Sequence, residues 1–187
     1  MPDVQPPVPT ARYESYSHEA MAAEVEAGND PVAAGEVGAR WDGLAKRLQE
    51  STAELAGLIT SSQENWQGGA GDAARAALGR AASWLSHSAA VSSSVGRAVG
   101  AQAEAAARAR ADMPPPVGYD PASMIREAAS SGNLLVLAGL SDELAARRAE
   151  AEAARQKAID VLRTRDAALH GHVPAETFPD APSLGQA

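Results

Sequence analysis

The side chains in this sequence that could do chemistry fall in four places. Asp166 and His170 stand four apart and His172 follows by two. The first two would share a helical face, as a metal ion requires. They also lie where a helix should end, and a histidine there complements the negative end of the helix dipole, which is the preferred reading. Ser86-His87 and the run Ser92-Ser93-Ser94 supply hydroxyls and an imidazole. A nucleophile, however, needs a base and an oxyanion site held by rigid turns. All of these residues sit inside one long helical pattern, where serine reads as a small residue that lets helices approach. Gly68-Gly69-x-Gly71 ahead of a helix is superficially like a phosphate loop, but no strand precedes it and no Gly-Lys-Ser/Thr follows. Arg147-Arg148 stand among Glu143, Glu150 and Glu152, a mixed-charge solvated face. Read together, these residues imply no catalytic site, no cofactor and no metal.

What must position any functional residue is helix. Hydrophobic residues make up 45% of the 187, yet only 4% are aromatic and much of the rest is alanine. Alanine favours helix and carries little apolar area, so the chain should form long helices packed along thin seams, with a partner to bury enough surface. A net charge of −8 argues against nucleic acid, whose phosphates need a basic face. Only Lys46 and Lys157 accompany the arginines, a bias suggesting a high-GC bacterial genome. There is no cysteine, hence no disulfide or thiolate site. Residues 1–10 are proline-rich, with no apolar run of a Sec signal peptide. No stretch reaches the ~18–20 apolar residues of a membrane span.

Residues 1–16 read as a flexible leader, since four prolines in the first nine positions cannot continue a helix. Five helices should follow. α1 runs about 17–27, with Ser17 as N-cap and Gly28 as stop. α2 starts at Asp30-Pro31 and reaches about residue 64. Trp41, Leu44, Leu48, Leu55, Leu58 and Ile59 fall on one of its faces at spacings of three, four and seven. α3 runs from Gly71 or Asp72 to about Asp112, with Leu78, Leu85, Val91 and Val95 on a small-residue seam, and Met113-Pro114-Pro115-Pro116 ends it. α4 opens at Asp120-Pro121 and stops at Ser131. An apolar run, Leu134 to Leu140, then leads to Ser141 as cap of α5, which ends near His170. Residues 173–187, with three prolines, read as a flexible tail. The expected fold is all-α, an elongated bundle built on a long antiparallel α2–α3 hairpin. A pivot near Gly68 would set Trp41 opposite Val95 and Trp84 opposite Thr52.

Trp66-Gln67-Gly68 joins the two long helices. A turn this tight needs glycine where the backbone leaves the helical region, and tryptophan offers a stiff apolar plate with one donor, suited to filling the notch at a hairpin end. Trp41-Asp42-Gly43-Leu44-Ala45, Trp66-Gln67-Gly68-Gly69-Ala70, Ser83-Trp84-Leu85 and Met113-Pro114-Pro115-Pro116 occur in that order on this helical layout. In order and approximate spacing they resemble the PPE family of type VII (ESX) secretion substrates. The resemblance covers residues 31–172, within a domain of 17–172.

That resemblance implies an elongated helical protein that is exported to the outside or surface of an actinobacterial cell after a cytoplasmic stage. It implies pairing of α2 and α3 with a small helical-hairpin PE protein, through Trp41, Leu44, Leu48, Leu55, Ile59, Leu78, Leu85, Val91 and Val95. Trp66 and Gly68 would contribute to a composite secretion signal read by the type VII secretion ATPase. An EspG-type cytosolic chaperone would grip an apolar tip at Leu134, Leu135, Val136, Leu137 and Leu140. The family's Pro-Pro-Glu is Pro6-Pro7-Val8 here. The tyrosine half of the signal, Tyr-x-x-x-Asp/Glu, is missing: Ser17, Ala20 and Ser123 follow Tyr13, Tyr16 and Tyr119 by four. That half would come from a partner chain, or the protein uses a variant of the signal. The smaller WXG proteins share the hairpin and turn but end too soon to explain the last two helices. A self-associating scaffold of the envelope or secretion apparatus would instead satisfy the stripe with a second copy. A delivery domain of a larger effector is a further alternative.

Overall fold

The computed structural model describes residues 12–27, 30–174 and 176–183. Most of the proline-rich leader, including Pro6-Pro7-Val8, and the Gly28 stop lie outside the described residues. All regular structure among the described residues is helical: a 3-10 helix at Tyr13–Ser15, then α1 (His18–Glu26), α2 (Pro31–Asn65), α3 (Gly69–Asp112), α4 (Pro121–Ser130) and α5 (Leu134–Gly171).

Local capping explains most starts. Ser17 Oγ accepts the Ala20 N–H at 3.1 Å. Asp30 Oδ1 takes the N–H groups of Val32 and Ala33 at 3.1 and 3.0 Å, with Pro31 filling a first-turn position that needs no donor. Asp120 Oδ1 accepts from Ser123 N–H at 3.1 Å and repeats the device with Pro121. The start of α5 differs from expectation. Asn133, not Ser141, is the cap: its Oδ1 accepts the Leu135 N–H at 3.0 Å, after Gly132 has turned the chain at φ +63°. Leu134–Leu140 is therefore the opening of α5, and Ser141 lies inside the helix.

The chain divides into two compact units. The first takes in Met1–Asn29 and Ala105–His170. Its core joins Tyr13, Met21, Val25, Ala109, Ala158, Ile159 and Leu162, with Met113 and Val161 at the margin. Residues 13–15, expected in the leader, are thus a helical turn with Tyr13 buried. The cause is a polar clamp 153 residues away: the Tyr13 hydroxyl donates to Asp166. Asp166 also accepts from Arg165 Nε at 2.9 Å, and Arg165 reaches Glu24 at 2.7 Å. Burial, reinforced by the Asp166 carboxylate, pushes the Tyr13 phenol above its ordinary value. Burial opposes the Arg165 charge, but hydrogen bonds to Glu24 and Asp166 outweigh it and raise that group. Asp166, read from sequence beside His170 and His172, is thereby committed to the clamp.

The second unit takes in Asp30–Glu104 and Gly171–Ala187. Here α2 and α3 run antiparallel with backbones close enough to touch. A Cβ on Gly38 would lie 3.1 Å from Gly96 O and 3.2 Å from Gly100 N. A Cβ on Gly96 would meet the Asp42 carboxylate, so Asp42 faces Gly96 across the seam. Ala45, Ser88, Ala89, Val91 and Ser92 are the buried side chains of this seam. It is thin because its residues are small.

Candidate functional site

The hairpin turn is built from backbone geometry and one arginine. Trp66 ends α2 in an extended conformation, its N–H still bonded to Ser62 O at 2.9 Å. Gly68 follows at φ +90°, a conformation that glycine adopts without strain, and its carbonyl accepts the Asp72 N–H at 3.1 Å to open α3. A Cβ on Gly71 would come within 2.5 Å of Trp66 O, so α3 begins hard against the end of α2. Arg75 Nη1 then donates to Trp66 O at 2.7 Å and to Ser62 O at 3.3 Å, while its other nitrogen pairs with Asp72. A cation thus satisfies carbonyls that the end of α2 would otherwise leave open.

None of this uses the indole. Trp66 is 56% exposed, so it does not fill the notch as its size suggested; Arg75 and Gly71 close the turn instead. Sequence reading missed Arg75. Its signal was available, a cation one turn into α3 beside Asp72, but the residue it caps belongs to the preceding helix.

Of the side chains read as a partner interface, Trp41, Leu44, Leu48, Leu55 and Ile59 of α2 are half-buried, as are Leu78, Leu85 and Val95 of α3; Val91 is buried. Leu58 stands exposed beside them. The two flanking tryptophans are both engaged. Trp41 lies 5.9 Å from the Phe178 ring, and the Trp84 indole N–H donates to Pro179 O at 3.0 Å. The described residues of 173–187, a segment read as a flexible tail, lack helix but are held to α2 and α3 by these contacts. Two aromatics supply anchors that do not depend on periodicity.

In the first unit, the opening of α5 divides the five apolar residues. Val136 and Leu140 line a small groove with Met124 and Ala128 of α4. Leu134 and Leu135 are 79% and 83% exposed, and Val136, Leu137 and, on α4, Ile125 are also exposed. Ile125 was not singled out from sequence. Leu134, Leu135, Val136 and Leu137, consecutive along the helix, leave apolar surface open to water, which water disfavours.

Ser92 Oγ donates to Ser88 O at 2.7 Å inside α3, so these two buried serines serve the seam, while His87 is exposed. No group of three acidic, histidine or cysteine side chains among the described residues is placed to hold a metal ion. No described helix is long and apolar enough to cross a membrane.

No curated protein matches this sequence. The profile of the PPE family, by contrast, matches residues 12–166, from the 3-10 helix through the hairpin into the last turns of α5, and the chain belongs to the PPE family.

Proposed function

We propose that this chain is a non-enzymatic type VII secretion protein, exported as a complex with a small helical-hairpin partner of the PE type. The single observation that carries the reading is Trp66. A large aromatic stands 56% exposed on a turn already closed by Gly68, Gly71 and Arg75. An indole more than half open to water is available to a receptor, and aromatics are among the side chains that most often anchor one. Trp66 and Gly68 are then half of an export determinant that the secretion ATPase reads, and the partner supplies the tyrosine half.

The half-buried stripe of α2 and α3 is suited to a second antiparallel hairpin, which would complete a four-helix arrangement. The exposed Leu134, Leu135, Val136 and Leu137, with the half-buried Leu140, form the surface that a cytosolic EspG-type chaperone would cover before export. The protein would then reach the cell surface or the medium.

Export of Trp66→Ala tests this. The variant should keep its helicity by circular dichroism and be lost from the culture medium. Normal export would remove the determinant from this turn. Leu135→Asp should abolish chaperone co-purification while leaving the melting profile intact, and undiminished co-purification would move that contact elsewhere.

A further inference from the structure

The segment 176–183 plays no part in the reading above, yet it lies on the surface that reading assigns to a partner. Phe178 packs on Trp41 of α2 with ring centroids 5.9 Å apart and planes tilted by 31°. Pro179 O accepts from Trp84 Nε1 of α3 at 3.0 Å. Just upstream, Gln102 of α3 donates to His172 O at 3.2 Å. The segment therefore touches both long helices. It needs no helix of its own, since Pro179 and Pro182 favour an extended chain, and each tryptophan offers a broad plate and a donor.

Trp41 shares its helical face with Leu44, Leu48 and Leu55, and Trp84 shares its own with Val91 and Val95, by spacings of whole turns. A hairpin seated on that stripe would meet Phe178 and Pro179. The hold on Phe178 is light: the ring remains 48% exposed. One face cannot carry both occupants.

We propose that segment 176–183 is an intramolecular strap that occupies the Trp41–Trp84 end of the partner face in the free chain and leaves it when the helical hairpin binds. This rests on the partner reading given above. The strap shields two tryptophans while the chain waits, and its displacement sets a threshold that only a partner covering the whole stripe would overcome.

The test uses the full-length chain, its Phe178→Ala variant, and as probe a purified helical-hairpin protein of the PE type. Phe178→Ala removes a half-exposed ring, and circular dichroism checks that the helices persist. The variant should bind the hairpin about three- to tenfold more tightly, the worth of one aromatic contact. In the free variant, amides near Trp41 should exchange hydrogen faster than in the wild type. In the wild-type complex, residues 176–183 should lose protection. Equal affinities would overturn the strap and leave the partner reading standing. Weaker binding by Phe178→Ala would also overturn it, making the segment part of the partner's seat. Failure of both proteins to bind would overturn the strap and the partner reading together.

Discussion

The two units bury different things. The unit built on α1 and α5 buries large side chains: Met21 and Leu162 at 0% exposure, Val25 and Ile159 at 1%. The α2–α3 unit buries mostly alanine, serine and a glycine contact, with Val91 its one large member. Its leucines and Trp41 remain half-open. Apolar burial stabilises by roughly 25 cal/mol per Å², so the first unit gains from its own contacts what the second has left partly unrealised. An interface that is half core and half surface is what a chain keeps for another molecule. The contrast also separates the roles of close approach and bulk. Gly38, Gly96 and Gly100 bring two backbones together, but they leave the larger residues at the margins of the seam.

The widest difference should appear on cutting leucines. Leu162→Ala should cost about 3–4 kcal/mol in urea unfolding, since it leaves a cavity in a filled core. Leu55→Ala should cost less than ~1.5 kcal/mol in the free chain, where part of that side chain is already in water. Similar costs would break the comparison.

Next is Tyr13. Tyr13→Phe removes a hydrogen bond to a carboxylate and should cost about 1.5 kcal/mol at neutral pH. The folded phenol holds its proton more firmly than the unfolded one, whose ordinary value is 10.0. The stabilisation is therefore complete below about pH 10 and falls as pH rises above it. Tyr13→Phe should flatten that alkaline decline, measured as melting temperature against pH.

Gly38→Ala should destabilise by about 1 kcal/mol, because its Cβ meets the backbone of α3 and strain exceeds the gain in helix propensity. Gly57→Ala, with nothing within 4 Å of its Cβ, should stabilise by about 0.5–1 kcal/mol. Opposite signs for two glycines of one helix would confirm the backbone contact. The smallest effect is Ser88→Ala. The Ser88 hydroxyl is buried with no partner among the described residues, so its removal should be neutral or stabilising by up to ~1 kcal/mol.

Helix starts at Ser17, Asp30-Pro31 and Asp120-Pro121 were legible because a cap and its recipients lie within three residues. The choice between Asn133 and Ser141 was not. Both are good cap residues, and what decides is the left-handed turn at Gly132, which ends α4 and restarts the chain at once. The hairpin turn was legible from its glycines and its place between two periodic runs. The exposure of its indole was not, because Arg75 closes the turn from the other side. Tyr13 and Asp166, or Trp41 and Phe178, are too far apart in sequence for any local pattern to pair them. The apolar stripe of α2 could be read by its period, but a period says which side chains share a face and not what covers it.

The central claim is that the α2–α3 face is unfinished until a second hairpin sits on it. Sedimentation of the full-length chain, alone and with a helical-hairpin protein of the PE type, addresses that claim most directly. A one-to-one complex that resists dissociation, with increased amide protection along α2, is the expected result. A stable homo-oligomer that ignores the added hairpin would contradict it.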